Sequence, residues 1–158
     1  MVKKRMARAE GGFTLIEVMV VVLVIGVLMA IGLPMFLGAK VKAQERAAQQ
    51  VLRTAQSAGL VYWAQGGTFT AFDVNCAGVP DSCDVADAEE ASVSWVGPGP
   101  PAVGEVSVVV AAGNSLLVVT RATSEDHFCI AQSSGQSERG RGAAFGDVDT
   151  IVECAGGW

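Results

Sequence analysis

The fold of this chain is decided by the stretch GGFTLIEVMVVVLVIGVLMAIGLPMFLGA, which occupies residues 11–39. No charged residue occurs in the 22 positions from 18 to 39, and Glu17 is the only charge between Phe13 and Ala39. A helix of that length extends about 33 Å, which is enough to cross the hydrocarbon core of a membrane. Because a small domain cannot bury all sides of such a helix, the stretch predicts a helix that lies in lipid or against other apolar helices.

The charges are distributed unevenly on the two sides of this stretch. Residues 1–12 carry four basic side chains and one acidic side chain, a net charge of +3, whereas residues 13–158 carry seven basic and fifteen acidic ones, a net charge of −8. Basic residues beside an apolar span stay on the cytoplasmic side, which places the first residues inside and the remainder outside. The acidic remainder repels phosphate backbones, so direct DNA binding by this part of the chain is not expected.

Three interpretations compete for residues 1–39. A secretory signal peptide has a shorter apolar region that ends in a small-x-small cleavage site, and Ala30-Ile31-Gly32 fits only in part because the apolar stretch continues beyond it. A plain membrane anchor accounts for the length and for the charge bias. It does not account for Glu17, whose carboxylate is costly in an apolar run unless it is paired or stays among the lipid headgroups.

The third interpretation rests on the residues around Glu17. The run Gly11-Gly12-Phe13-Thr14-Leu15-Ile16-Glu17-Val18 resembles the processing signature of type IV pilins and the related pseudopilins, in which a basic leader and a glycine precede the apolar segment. The resemblance implies cleavage between Gly12 and Phe13 by a dedicated prepilin peptidase, followed by N-methylation of Phe13. It also implies an inner-membrane assembly platform as a partner, and a helix-disturbing proline at the place that Pro34 occupies.

Glu17 and Pro34 are the assembly residues under this interpretation. Cleavage creates a free α-amine on Phe13, and in a bundle of apolar helices this amine can lie near the Glu17 carboxylate of a neighbouring subunit. Opposite charges in a poor dielectric attract strongly only at short range, so the pair would help to set the axial register of a filament. Pro34 lacks a backbone donor, and we expect a kink or a loosened turn there.

Beyond the apolar stretch the pattern becomes amphipathic. Small and apolar residues recur at spacings of three and four from Val41 to Tyr62, with charged residues among them. We therefore predict one long helix from about Thr14 to Gln65, with a transmembrane half and an amphipathic half. Gly66-Gly67 follows it and is suited to a C-terminal helix cap.

Valine-rich segments after the helix predict an α+β domain. Gly113-Asn114 is a two-residue hairpin connection between two of these segments, and residues 68–104 form a long irregular connection. The predicted strands are residues 92–96, 105–112, 115–121 and 126–133, which form an antiparallel sheet of three or four strands packed on the helix. The predicted layout is a cleaved basic leader (1–12), a transmembrane and assembly helix (13–39), an amphipathic helix half (40–67) and a globular part with disulfide-tied loops (68–158).

Four cysteines lie in the part of the chain that is placed outside the membrane, where disulfides persist. Four cysteines allow three pairings, and we favour Cys76–Cys83 with Cys129–Cys154. The first pair closes a short local loop, and the second ties a Gly- and Ser-rich tail to the last predicted strand. Pilins commonly have a disulfide-closed C-terminal region, which Cys129 and Cys154 fit. A zinc site is the rival, but Cys-x-x-Cys pairs are absent and only His127 supports it.

The sequence offers no catalytic, cofactor-binding or metal site. His127 is the only histidine, and no nucleophile motif, Walker loop or dinucleotide fingerprint occurs. The resemblance implies instead a structural pilin subunit, held in the lipid of the cytoplasmic membrane with its head outside. It would then assemble with copies of itself into a type IV pilus at the cell surface, for adhesion, twitching-type motility or DNA uptake. A type II secretion pseudopilin or a minor pilin is the nearest alternative, and a monomeric membrane-anchored extracellular binding domain is the alternative of another class.

Overall fold

The helices and strands are taken from a computed structural model that describes residues 12–72 and 84–158. The predicted leader, apart from Gly12, and the predicted Cys76–Cys83 disulfide lie outside these residues, and both stay predictions. The chain divides into two compact units, of which one ends at Ala39 and the other runs from Lys40 to Trp158.

Helix α1 runs from Leu15 to Gly66, and both units contribute to it. The predicted helix from about Thr14 to Gln65 is confirmed to within one residue at each end. In the first unit every residue from 13 to 39 is exposed, and by length and composition this part of the helix can cross a membrane. The helix continues through Pro34, whose missing backbone donor removes one hydrogen bond without ending the helix.

The second half of α1 buries one face. Leu52, Ala55, Ala58 and Gly59 are buried, at the spacing of three and four that an amphipathic helix requires. A side chain at position 59 would collide with that of Leu116 on the sheet, so the glycine permits a close approach of helix and strand. The helix ends where Gly67 adopts a positive φ of 70°, which confirms the predicted glycine cap.

The sheet of the second unit has five strands among the described residues, in the order β1-β2-β3-β4-β5. The strands are β1 (Ser94–Val96), β2 (Glu105–Ala112), β3 (Ser115–Arg121), β4 (His127–Ser133) and β5 (Gln136–Gly142). The predicted strands 105–112 and 115–121 are confirmed to the residue, and Gly113 joins them with a φ of 55°. A short helix, α2 (Asp84–Glu89), lies within the connection 68–104 that was predicted to be irregular, and a 3-10 turn at Phe145–Asp147 lies in the Gly- and Ser-rich tail.

Two details of the predicted sheet are corrected. The prediction of three or four strands omitted β5, whose sequence QSERGRG has no apolar alternation. The prediction of a wholly antiparallel sheet fails at β1, which pairs with β2 in parallel. Residues 97–104 form a connection long enough to return the chain to the start of β2, so the two strands run the same way. The Ser107 hydroxyl holds this connection by donating to the Gly97 carbonyl at 2.8 Å and accepting from the Gly99 amide at 3.3 Å.

The core has two layers, one on each face of the sheet. Alternate residues of a strand point to opposite faces. On β3, Leu116 and Val118 belong to the layer that contains Leu52 and Ala55 of α1, whereas Leu117 and Val119 belong to the other layer. That second layer contains Cys129 and Cys154, which form the predicted disulfide. The Gly- and Ser-rich tail is therefore covalently attached to the face of the sheet that α1 does not cover.

Two further contacts fasten the second half of α1 to the sheet. The Arg141 guanidinium on β5 donates to Glu45 of α1 at 3.0 Å and also to Asp126. The indole of the C-terminal Trp158 contacts two guanidinium groups, those of Arg53 on α1 and Arg139 on β5, each 5.2 Å from a ring centroid. Polar and cation–π contacts thus supplement the apolar core where helix and sheet meet.

Candidate processing and assembly segment

The predicted cleavage site lies immediately before the first turn of α1. Gly12, Phe13 and Thr14 are non-helical, and Leu15 is the first helical residue. The Glu17 amide donates to the Thr14 side-chain oxygen at 3.3 Å and to its carbonyl at 3.1 Å. Thr14 is therefore the N-cap, and a cap of this type stabilises a helix by about 1 kcal/mol.

Glu17 occupies the first turn, which is the favourable end of the helix for a carboxylate. The unpaired amides of the first turn give this end a partial positive charge. A free ammonium on Phe13, which cleavage would create, adds to that positive charge. Glu17 is the only acidic residue between Phe13 and Ala39, so it is the only side chain of the apolar segment that can balance the ammonium.

The remainder of the segment presents apolar side chains on all sides. Exposed large hydrophobic residues follow one another from Leu15 to Leu37 with no buried residue among them. Around Gly32 the missing side chain leaves a shallow groove, whose walls are Ile25, Leu28, Met29, Leu33 and Phe36. Small residues on apolar helices let a second helix approach closely. The segment is thus suited to contact with lipid chains and with other apolar helices.

The predicted site residues fall into two places. Phe13 and Glu17 are one turn apart at the start of α1, and Gly12 precedes them. Pro34 lies 17 residues beyond Glu17 on the same helix, at a distance of about 25 Å. The structure therefore groups the processing residues with Glu17 and separates Pro34 from them. The Cys129–Cys154 disulfide belongs to the second unit.

Thr14 caps α1, a role that was not predicted from the sequence. The signal was present, because threonine three positions before a glutamate at the start of an apolar run is the capping-box pattern. Glu17 therefore has two roles: its backbone amide completes the helix cap with Thr14, and its side chain carries a charge. Any experiment on Glu17 has to separate these two contributions.

His127 is a core residue of the second unit. Only 7% of its surface is exposed, and its ring lies edge-on to Phe145 with the centroids 6.2 Å apart. Burial lowers the pKa of His127 below its ordinary value, and the positive charge of Arg121 lowers it further. Within residues 12–72 and 84–158, no cluster of three or more His, Cys, Asp or Glu side chains is arranged to hold a metal ion.

The architecture and the N-terminal segment agree with one class of protein. A long N-terminal helix on a sheet with a C-terminal disulfide is an α+β arrangement that fits the pilin fold. Residues 7–33 match the family model of the prokaryotic N-terminal methylation motif, the class III signal of type IV pilins. This motif supports a type IV pilin-like or pseudopilin-like protein, and it is the motif of a structural family. Comparisons with curated proteins and with solved structures give no match.

Proposed function

We propose that this chain is the structural subunit of a type IV pilus, cleaved between Gly12 and Phe13 and assembled through residues 13–39 into a filament. The observation that carries the proposal is the methylation motif at residues 7–33, on a helix whose residues 13–39 are all exposed. Exposed apolar surface is unfavourable in water by about 25 cal/mol for each Å². Lipid covers this surface before assembly, and copies of the same helix cover it afterwards.

Glu17 and the amine of Phe13 supply the polar contact in this assembly. Both residues are exposed at the start of α1, which is the positive end of the helix dipole. A second positive charge on Phe13 is unfavourable there unless a carboxylate is within reach. Between helices of a filament the apolar surroundings lower the dielectric, and the pairing of Glu17 with Phe13 of an adjacent subunit then determines how far one helix is shifted along the next.

The proposed route starts in the cytoplasmic membrane. The basic residues before Gly12 hold the leader inside, where the peptidase and methyltransferase act, and residues 40–158 lie outside. The inner-membrane assembly platform then moves the cleaved subunit from lipid into the growing filament. Adhesion, twitching-type motility and DNA uptake are functions of the resulting polymer. Direct contact between DNA and the acidic head is not part of the proposal, because like charges repel.

The first test is N-terminal mass spectrometry of filaments sheared from cells that express the full chain. We expect a chain that begins with N-methylated Phe13. Gly12→Val is the matched control: a β-branched residue at the cleavage site should leave the leader attached and keep the chain in the membrane fraction. A wild-type chain that keeps residues 1–12 and never enters the sheared material contradicts the proposal and favours the monomeric, membrane-anchored binding domain. A cleaved and methylated chain that never leaves the cell envelope favours a pseudopilin or a minor pilin.

The second test separates the charge of Glu17 from its place in the helix start. Glu17→Ala and Glu17→Gln are both expected to be cleaved normally and to fail in assembly, since neither carries a carboxylate. Glutamine retains the size of the side chain and its helix propensity. Thr14→Ala removes the cap and retains the carboxylate, so it is expected to assemble. Wild-type amounts of filaments from Glu17→Gln would show that the charge is not required.

A further inference from the structure

A cavity of about 710 Å³ opens in the second unit, between the last turns of α1 and the tips of two hairpins. The tip of the β2–β3 hairpin contributes Asn114, and the tip of the β4–β5 hairpin contributes Ser134, Gly135 and Ser137. The volume is within the range of small-molecule sites, which is about 300–1,000 Å³. The cavity is formed by one chain, so its existence does not depend on filament assembly.

The apolar part of the cavity is an aromatic platform. Trp63 of α1 is 40% exposed, and its indole N–H donates to the Asn114 side-chain oxygen at 3.4 Å, which connects the ring to the hairpin tip. Leu60 extends the apolar surface one turn earlier on the same helix, and the buried Phe69 lies beneath it. An indole that is anchored through its N–H and open on its surface can receive a flat apolar face of a ligand.

The polar part consists of amides and a hydroxyl that are already connected. The Gln56 amide donates to the Ser137 hydroxyl at 2.8 Å and to the side-chain oxygen of the buried Gln132 at 3.4 Å. Amide and hydroxyl groups both donate and accept hydrogen bonds, and each of these side chains has more bonding capacity than these contacts use. The cavity therefore offers neutral donors and acceptors beside an aromatic surface.

Among residues 12–72 and 84–158, none of those that line the cavity is charged. A carboxylate or phosphate ligand would lose water without gaining a cationic partner, and an ammonium ligand would lack a carboxylate. A purely apolar ligand would cover the Gln56 amide and the Ser137 hydroxyl without using their remaining hydrogen-bonding capacity. The remaining class is a neutral ligand with an apolar face and several hydroxyl groups. We propose that this cavity binds a neutral sugar residue, with one face of the sugar ring against Trp63 and its hydroxyls bonded to Gln56, Asn114 and Ser137.

Saturation-transfer NMR on the full chain tests this site. The chain is solubilised in a detergent without a sugar headgroup, and the probes are glucose, galactose, mannose and N-acetylglucosamine, with glucosamine and glucuronate as the charged counterparts. We expect saturable binding of at least one neutral sugar, with a Kd on the order of 1 mM. We also expect binding of the two charged sugars to be at least tenfold weaker. Failure of every neutral sugar to bind, or equal binding of the charged ones, overturns the proposal.

Variants of the cavity make the test specific. Trp63→Leu removes the aromatic face and is expected to weaken binding at least tenfold, whereas Val61→Ala on the same helix, outside the cavity, is expected to leave it unchanged. Asn114→Ala removes one of the proposed hydrogen-bonding groups at the exposed rim without removing apolar surface, and it is expected to weaken binding even if Trp63→Leu fails to fold. Wild-type affinity in a folded Trp63→Leu chain or in Asn114→Ala overturns the assignment of the site.

Discussion

The two halves of α1 differ in what covers them. Residues 15–39 contain no buried residue, although they are the most apolar part of the chain, whereas residues 40–66 place Leu52, Ala55 and Ala58 in the core. The core is thus built on the less apolar half. The difference shows that the pattern of apolar residues, and not their number, decides which half the chain can bury by itself.

The reason is geometric. A sheet covers one side of a helix, so it can bury the stripe of residues at 52, 55, 58 and 59 and leave the opposite side in water. A helix that is apolar on every side has to be surrounded, and one sheet cannot surround it. Within the described residues the first half is therefore left exposed, whereas the second half packs on the sheet.

The same leucine-to-alanine substitution is expected to affect the stability of the head strongly in the second half of α1 and hardly at all in the first half. Leu52→Ala removes a side chain with 0% exposure from the core and is expected to lower the free energy of unfolding of the head by about 2–5 kcal/mol. Leu23, in the other half, is 66% exposed, and Leu23→Ala is expected to change the free energy of unfolding of the head by no more than about 0.5 kcal/mol. Urea unfolding of the full chain in detergent, followed through the near-UV signal of the buried Trp95, measures both. Equal losses in the two variants would show that the stability of the head does not depend on which half of α1 is packed on the sheet.

The disulfide gives the next largest expected effect, and it is confined to the head. Cys129 and Cys154 are separated by 25 residues, and replacing both with alanine is expected to lower the free energy of unfolding by about 3 kcal/mol. The same unfolding measurement applies, and membrane insertion of the first half should be unchanged. The double replacement of Cys76 and Cys83 is the control, and a smaller loss is expected because the predicted loop is shorter. An equal or larger loss from the control pair would contradict this ranking.

The sequence predicts the regular parts of the fold well, because their signals are local. The apolar run and Gly66-Gly67 bound α1 to within one residue, and the valine-rich segments bound β2 and β3. Strand β5 has no such signal, since its residues are polar or glycine. It forms because the exposed edge of β4 pairs with it and because Gly140 lets it approach Cys129, where a side chain would lie 2.9 Å from the sulfur. The turn residues Ser134-Gly135, both with positive φ, were the available hint of a hairpin.

The two candidate sites also differ in how far the sequence alone could predict their residues. The processing segment is a contiguous motif, so its residues could be named from the sequence, although their cleavage and assembly remain proposals. The cavity beside Trp63 joins Gln56 to Ser137, which is 81 residues further along the chain. The cavity depends on how the two hairpin tips are placed relative to α1, and no local sequence pattern specifies that placement.

Among the described residues, only the second half of α1 has a charged link to the sheet. Arg141→Met removes the contacts with Glu45 and Asp126 and is expected to lower the free energy of unfolding by about 1 kcal/mol, since the guanidinium is nearly half exposed. Added salt should reduce the difference from wild type. Arg46→Met, at an exposed position of the same helix, is the control and should have less effect. A loss that does not depend on salt would indicate lost packing against Phe128 instead.

The smallest expected effect is a pH dependence that belongs to the head alone. Four neighbours act on the His127 ring besides its burial: the positive charge of Arg121 lowers its pKa, while Asp126, Asp147 and a hydrogen bond with the backbone of Ala143 raise it. Burial and Arg121 prevail, so the folded pKa lies below the ordinary value of 6.5. Between the two values the unfolded chain binds more protons than the folded chain. The stability of the head therefore falls as the pH drops through 6.5, and it stops falling below the folded pKa.

His127→Gln removes this contribution and leaves the carboxylates in place. The urea midpoints of wild type and variant are to be compared at pH 7.5, 6.5 and 5.5 in the same detergent. We expect the wild type to lose stability relative to the variant as the pH falls, because only the wild-type ring has to remain unprotonated while buried. Other titrating groups act on both chains and cancel in the difference. A constant difference at the three pH values would mean that the folded and unfolded rings bind protons equally, and the pH dependence of the head would then have to come from its carboxylates.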